Sequence, residues 1–170
     1  MHSPVRRACA VALFTCSTLL AGLAQAQDGL QVSLTARRVT TDSHGRETLA
    51  PADQAKPGEI VEYRVTYRNA GATPVREVAA TLPIPAGTEL VASSSRPAKV
   101  LASIDGVNFA GMPLKRRERL ADGREVEREI PLAEYRWLRW PLGAIAAGGS
   151  QVVRARVRVS DTAVAARTER

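Results

Sequence analysis

Cysteine and histidine are nearly absent from this chain of 170 residues, which contains two of each. Both cysteines, Cys9 and Cys16, lie within the first 26 residues together with His2, so the rest of the chain keeps His44 alone. Zinc, copper and iron sites are built mainly from cysteine and histidine side chains. We therefore expect no metal site, no cofactor and no disulfide after residue 26.

Aromatic residues are also scarce, at 4% of the chain, and lysine occurs only as Lys56, Lys99 and Lys115. The 24 basic residues are otherwise arginines and exceed the 17 acidic ones, which gives a formal net charge of +7. A positive surface attracts anionic partners, although it does not define an activity. No apolar run after residue 26 approaches the ~20 residues that a membrane-spanning helix needs, so we expect no membrane span.

The first 26 residues have the layout of a secretory signal peptide. The basic segment MHSPVRR precedes the apolar run ACAVALFTCSTLLAGL, and Ala24 and Ala26 form a small-x-small cleavage site. We predict that residues 1–26 are removed during export by the general secretory route and that the mature chain starts at Gln27. The expected location is the periplasm, the cell surface or the extracellular space.

Apolar residues recur at every second position through most of the remaining chain, which predicts β-strands. In residues 59–69, for example, Val61, Tyr63, Val65 and Tyr67 would share one buried face. Further strands are predicted over residues 30–36, 75–82, 88–92, 98–104, 134–142 and 151–159, with an inserted β-hairpin over 114–130 around Asp122 and Gly123. About seven to nine short antiparallel strands with frequent turn signals are typical of an all-β sandwich, here one domain over 27–160 with a polar tail over 161–170.

Three motifs in residues 49–94 resemble a known family. They are Lys56-Pro57-Gly58 before a strand that contains tyrosine, the turn Asn69-Ala70-Gly71, and Leu82-Pro83-Ile84-Pro85-Ala86-Gly87. This pattern is similar to the bacterial conserved-repeat domain, also called domain of unknown function eleven. The resemblance implies an immunoglobulin-like β-sandwich, here in a single copy, with structural or adhesive roles on bacterial surfaces and no catalytic residues. The family often has an acid shortly before Leu-Pro, where this chain has Ala79 and Ala80, so the resemblance transfers no cation-binding role to that position.

Candidate catalytic groups are few. Asp42, Ser43 and His44 are consecutive in a turn, whereas a nucleophilic triad needs side chains that converge from separate elements. Asp105 and Asn108 could supply two of the six or more oxygens that calcium takes, but Asp-Gly favours a turn for local reasons. We therefore expect no catalytic residues and no enzyme.

Two groups of charged residues are candidates for binding. In the hairpin, the acids Glu125, Glu127 and Glu129 would face the basic residues Arg116, Arg117 and Arg119, which indicates cross-strand pairing rather than the acid pair of a glycosidase. In the last strand, Arg154, Arg156 and Arg158 form a one-sided stripe with no acid beside them in sequence. The stripe is either a contact for an anionic polymer, such as an acidic glycan, or a solvated face. Nucleic acid is not expected, because Tyr63 and Tyr67 would lie away from the arginines.

Residues 133–142, AEYRWLRWPL, contain both tryptophans. Alternation along a strand places Leu138, Trp140 and Leu142 in the core, and the other three residues, Tyr135, Trp137 and Arg139, on the opposite face. That face is either open to a partner and suited to cation–π stacking, or covered by the hairpin through Leu114 or Leu120.

The candidate interaction surface is therefore Tyr135, Trp137, Arg139, Arg154, Arg156 and Arg158. The expected function is that of a non-catalytic structural or binding module of the bacterial cell envelope, in contact with an envelope protein or an anionic glycan. One alternative is a periplasmic assembly or accessory factor that works by β-strand pairing, which requires an exposed, unpaired, apolar edge strand. A polysaccharide-active enzyme, the other alternative, would require a cleft with two or more acids.

Overall fold

The computed structural model describes residues 29–53 and 55–160. Over these residues the chain forms eleven β-strands and one short 3₁₀ helix, and no α-helix. The predictions for residues 1–26 and 161–170, a signal peptide and a polar tail, lie outside the described residues.

The strands are antiparallel, as expected, but more numerous than seven to nine. In chain order they are β1 (Leu30–Thr41), β2 (Glu47–Pro51), β3 (Ile60–Asn69), β4 (Val75–Pro83), β5 (Thr88–Leu90), β6 (Leu101–Ser103), β7 (Ala110–Gly111), β8 (Lys115–Arg119), β9 (Glu125–Glu129), β10 (Trp137–Ile145) and β11 (Ser150–Val159). The 3₁₀ helix, Leu132–Glu134, lies directly before β10.

Two sheets pack face to face and make a β-sandwich. The larger sheet has the strand order β2-β1-β3-β11-β5, and the smaller sheet has the order β4-β10-β6-β7. Strands β8 and β9 form a separate two-stranded ribbon, which confirms the inserted hairpin. The immunoglobulin-like arrangement of the strands stays a prediction.

The core lies between the two sheets and follows the alternation of the sequence. Val61, Val65 and Tyr67 of β3 are buried, and every second residue of β11 from Val153 to Val157 is buried opposite them. From the smaller sheet, Leu138 and Trp140 of β10 are 0% and 1% exposed. The indole N–H of Trp140 donates to the carbonyl of Pro97 at 2.9 Å, which satisfies its polar group inside the core.

The sequence pattern failed where strands are short or irregular. Strand β2 (Glu47–Pro51) was not predicted, because its five residues have no alternation of buried and exposed positions to reveal them. Strand β10 extends through Gly143 to Ile145, beyond the predicted end at residue 142, since register shifts against β4 at Gly143 let the ladder continue.

The register of the ribbon places opposite charges across from each other as predicted, but its ion pairs are Lys115–Glu127 and Arg128–Glu118. Lys115, Arg117 and Arg119 lie opposite Glu129, Glu127 and Glu125 in the register of β8 and β9. Arg116 is the exception, since it lies opposite Arg128 and forms an ion pair of 2.9 Å with Glu134 instead. These side chains are exposed, so their pairs contribute little to stability.

Candidate functional site

Tyr135 is buried, with 0% of its surface exposed, so the prediction that it lies on an outer face beside Trp137 is wrong. The reason is local geometry: Tyr135 follows the 3₁₀ helix and precedes the first residue of β10, so strand alternation does not yet apply to it. Its phenol oxygen accepts a hydrogen bond of 2.7 Å from the backbone N–H of Leu114. Leu114, at the base of the ribbon, therefore contacts Tyr135 in the core and not on an outer face.

Trp137 and Arg139 do lie on the outer face of the smaller sheet, where both are half-buried. The turn at Gly106 lies against the indole of Trp137, so closely that a Cβ at this glycine would be 2.8 Å from the indole nitrogen. Arg139 stacks on Phe109, with its guanidinium carbon 3.6 Å from the ring centroid. Arg139 thus makes a cation–π contact, but with Phe109 and not with Tyr135 or Trp137. The sequence analysis did not select Phe109, because it is distant from Arg139 in the chain.

The arginines of β11 are not a free basic stripe. Arg156 lies opposite Glu62 of β3, and its Nε is 3.1 Å from a carboxylate oxygen of Glu62, while Arg154 approaches the same oxygen at 3.7 Å. Arg156 also forms two hydrogen bonds of 2.8 and 2.9 Å with Glu47, which raise its pKa above the ordinary value. Arg158 donates to the carbonyl of Gly58. No acid stands beside the stripe in sequence, but sheet pairing brings Glu62 and Glu47 to it.

Glu62 is the centre of this network, with its side chain 3% exposed and a third arginine, Arg64, at 3.1 Å. Replacing Glu62 with glutamine is expected to lower the free energy of unfolding by about 1–3 kcal/mol, because three arginines lose their shared anion. The loss stays below that of a fully buried pair, since the arginines retain contact with water. Urea denaturation at neutral pH measures it.

Glu89→Gln is the matched control for this prediction, because Glu89 is exposed and lies opposite Arg158 in the same sheet. It should change the free energy of unfolding by less than about 0.5 kcal/mol. Equal effects of the two substitutions would show that Glu62 makes no special contribution.

The polar turns contain local hydrogen bonds rather than converging catalytic groups. The carboxylate of Asp105 accepts bonds from the side chain and backbone of Asn108, from the backbone of Val107 and from the hydroxyl of Ser103, and these bonds hold its pKa well below the usual range. Asp42 likewise accepts from the backbone N–H groups of His44 and Arg46. Both are the turn arrangements that the sequence favoured.

The larger sheet has an open edge at the N-terminal half of β1. Strand β2 pairs only with residues 37–41 of β1, and no other described strand pairs with that side of residues 30–36. On the side of the β1 strand that faces β2, the backbone N–H of Asp42 donates to the carbonyl of Arg46. On the side that faces β3, the carbonyl of Gly29 accepts from the backbone N–H of Ala70. Because backbone groups alternate along a strand, the even-numbered residues point toward the edge. Leu30, Val32 and Leu34 therefore direct their N–H and C=O groups outward.

The same half-strand also leaves apolar side chains uncovered. Val32 and Leu34 lie opposite Tyr67 and Val65, so their side chains are on the core face of the sheet. They are nevertheless 57% and 56% exposed, because the smaller sheet does not extend over β1. Ala36, the next residue on this face, lines a groove of about 650 Å³ together with Val61 and Tyr63.

The other sheet edges have features that discourage pairing with a further strand. Strand β4 ends at Pro83 and has a positive φ of 56° at Glu77, and β2 carries Glu47 and ends at Pro51. Strands β5 and β7 contain only three and two residues. Residues 30–36, LQVSLTA, have no charge, no proline and no glycine. Compared with these four strands, residues 30–36 alone combine length, apolar side chains and free backbone groups.

Comparison of the chain with protein-family models, with curated proteins and with solved structures finds no match in any of the three. The resemblance to the conserved-repeat domain therefore stays a prediction. In residues 29–53 and 55–160, no helix is long and apolar enough to cross a membrane.

Proposed function

We propose that this chain is a non-catalytic binding module that accepts a β-strand at residues 30–36 of β1. The observation that supports the proposal is the open edge, where outward backbone groups and the exposed side chains of Val32 and Leu34 occur together. An added strand would form main-chain hydrogen bonds with the edge, and its alternate side chains would cover the apolar ones.

The surface formed by Arg154, Arg156 and Arg158, called the arginine surface below, is less well suited to bind an anionic ligand. Arg154 and Arg156 already have carboxylate partners in Glu62 and Glu47, so an anion would compete with bonds inside the protein. At the β1 edge, by contrast, no strand among residues 29–53 and 55–160 occupies the place of an added strand. Strand pairing, the alternative raised by the sequence, is therefore the better-supported means of action.

The place of action is the other part of the proposal. The basic segment, apolar run and small-x-small site of residues 1–26 support export, and we propose the bacterial cell envelope as the site of function. An exported partner must then present an extended segment with apolar residues at alternate positions. Its side chains would lie beside Val32 and Leu34, on the core face of the larger sheet.

Selection of displayed peptides of ten to twelve residues on the purified protein tests the mechanism. We expect peptides with alternating apolar residues, bound with little dependence on salt. Val32→Pro should weaken their binding at least tenfold, because proline removes the outward N–H and leaves the bonds to β3 intact. Val32→Ala is the matched control: it shortens the side chain but keeps the donor, so it should weaken binding less.

A different outcome of the peptide selection would contradict the proposal. Acidic peptides whose binding falls steeply with salt, and is lost in Arg158→Ala but not in Val32→Pro, would contradict strand pairing. This outcome would identify the arginine surface as the binding site.

A further inference from the structure

We infer that the strand received at this edge is β1 of a second copy of this chain, paired antiparallel with its centre at Ser33. The inference rests on the function proposed above and adds the identity of the partner. The result is a symmetric dimer in which two five-stranded sheets become one continuous sheet.

The hydrogen-bonding pattern of β1 fits such a pair. A two-fold axis at Ser33 places Val32 opposite Leu34 of the second copy, and Leu30 opposite Ala36 of the second copy. All of these are even-numbered residues, whose backbone groups point outward at the edge, so each pair can exchange two hydrogen bonds. Ser33 then faces its own copy at a position without such bonds, where Cα atoms lie about 4.5 Å apart.

The side chains of residues 30–36 fit those of the same residues in a second copy on both faces of the sheet. On the core face, Val32 and Leu34 of each copy would lie beside Leu34 and Val32 of the other, which removes from water the exposed apolar surface of this edge. On the outer face the residues are uncharged: Gln31, Ser33 and Thr35. A single short segment thus supplies both halves of the interface.

Charge also favours this place of contact between two positive molecules. The chain has a net charge of +7, yet residues 30–36 contain no charged side chain. The nearest described arginine along the strand, Arg37, would lie about 27 Å from its copy along the paired strands, at ~3.4 Å per residue. This separation exceeds the ~8 Å screening length at physiological salt, so repulsion between the two arginines is weak.

The length of the free edge sets a limit on the register. Pro51 of β2 lies opposite Arg37, so the space for an added strand ends at Ala36. The seven residues that remain match an ordinary strand. Only a pair centred on Ser33 pairs all seven residues of one copy with all seven of the other.

Cysteine cross-linking tests the partner and the register together. The full chain is expressed with its own N-terminal segment, with Cys9 and Cys16 replaced by serine, and Ser33→Cys is added. Under mild oxidation this variant should form a disulfide-linked dimer at least tenfold faster than Gln31→Cys or Thr35→Cys alone, whose thiols would lie about 14 Å from their own copies. Mixing the Gln31→Cys and Thr35→Cys proteins should restore the cross-link, because residue 31 lies opposite residue 35 of the other copy.

Sedimentation equilibrium of the wild type should show a dimer at micromolar concentrations, and Val32→Pro should be monomeric with an unchanged circular dichroism spectrum. A wild type that stays monomeric, or cross-links that form equally at all three positions, would overturn the inference. If the protein is a monomer but still binds peptides with alternating apolar residues at the β1 edge, the proposed function stands. Only the inference that the partner is a second copy is then wrong. A third result is a monomer that binds no peptide at the β1 edge until residues 161–170 are deleted. It would show that the chain's own tail covers the edge, and it would also overturn the inference of a dimer.

Discussion

Replacing Asn69 with aspartate is expected to be among the most destabilising single changes in this protein, with a loss of about 3–5 kcal/mol in the free energy of unfolding. Asn69 is 0% exposed at the end of β3. Its amide nitrogen lies 2.7 Å from the carbonyl oxygen of Thr73, 3.0 Å from that of Ile145 and 3.2 Å from that of Ala146. One side chain thereby connects the turn after β3 to the turn between β10 and β11.

The physical reason for the large effect is that aspartate reverses the polarity of this contact. An aspartate would direct a carboxylate oxygen at three carbonyl oxygens, none of which can donate a hydrogen bond. The buried charge would have no partner there, and the carbonyls would lose theirs. The bond from the backbone N–H of Gly71 to the side-chain oxygen could persist, but it cannot compensate for this loss.

Urea denaturation at pH 7 measures the loss, with Gln151→Glu as the control. Gln151 is exposed near the start of β11, so the same amide-to-acid change there should cost less than about 0.5 kcal/mol. If Asn69→Asp unfolds at the same urea concentration as the control, the amide does not hold the two turns together.

Trp140→Ala is expected to cost about 3–5 kcal/mol, the range found when a large buried aromatic side chain is removed from a core. Trp140 is 1% exposed and lies opposite Ala80 of β4, so a small neighbour leaves the space that the indole fills. The substitution leaves a cavity and also removes the donor to the carbonyl of Pro97.

Trp137→Ala provides the comparison within the same strand. Trp137 is half-buried on the outer face, so its loss should cost about 1 kcal/mol, well below the effect at Trp140. Thermal unfolding followed by circular dichroism measures both. A larger effect at Trp137 would contradict the assignment of the two faces of β10.

The charged side chains on the two sheets and the backbone groups at the β1 edge differ in whether they already have partners. The network around Glu62 joins neighbouring strands, and Arg139 of β10 stacks on Phe109, which precedes β7. These charged groups already have partners within the chain. The β1 edge is the contrast, because its hydrogen-bonding groups have no partner among the described strands. This contrast is why the proposed function rests on backbone pairing and not on charge.

The amino-acid sequence by itself determined the fold class and most of the core. Alternation identified β3 and β11 and placed Trp140 and Leu138 inside, because strand geometry sends successive side chains to opposite faces whatever the strand packs against. The Asp122-Gly123 turn identified the ribbon for a similar local reason. Where the backbone leaves strand geometry, as at Tyr135 after the 3₁₀ helix, the same rule failed.

Only the tertiary structure decided which surfaces are satisfied and which are open. The neighbours of Arg156, the ring under Arg139 and the strand beside β1 come from residues distant in the chain, and their positions follow from strand order and register. The uncharged run of residues 30–36 was visible in the sequence as a strand. That it forms an edge, with Val32 and Leu34 uncovered, depends on two facts. Strand β2 ends at Pro51, opposite Arg37, and the smaller sheet does not reach β1.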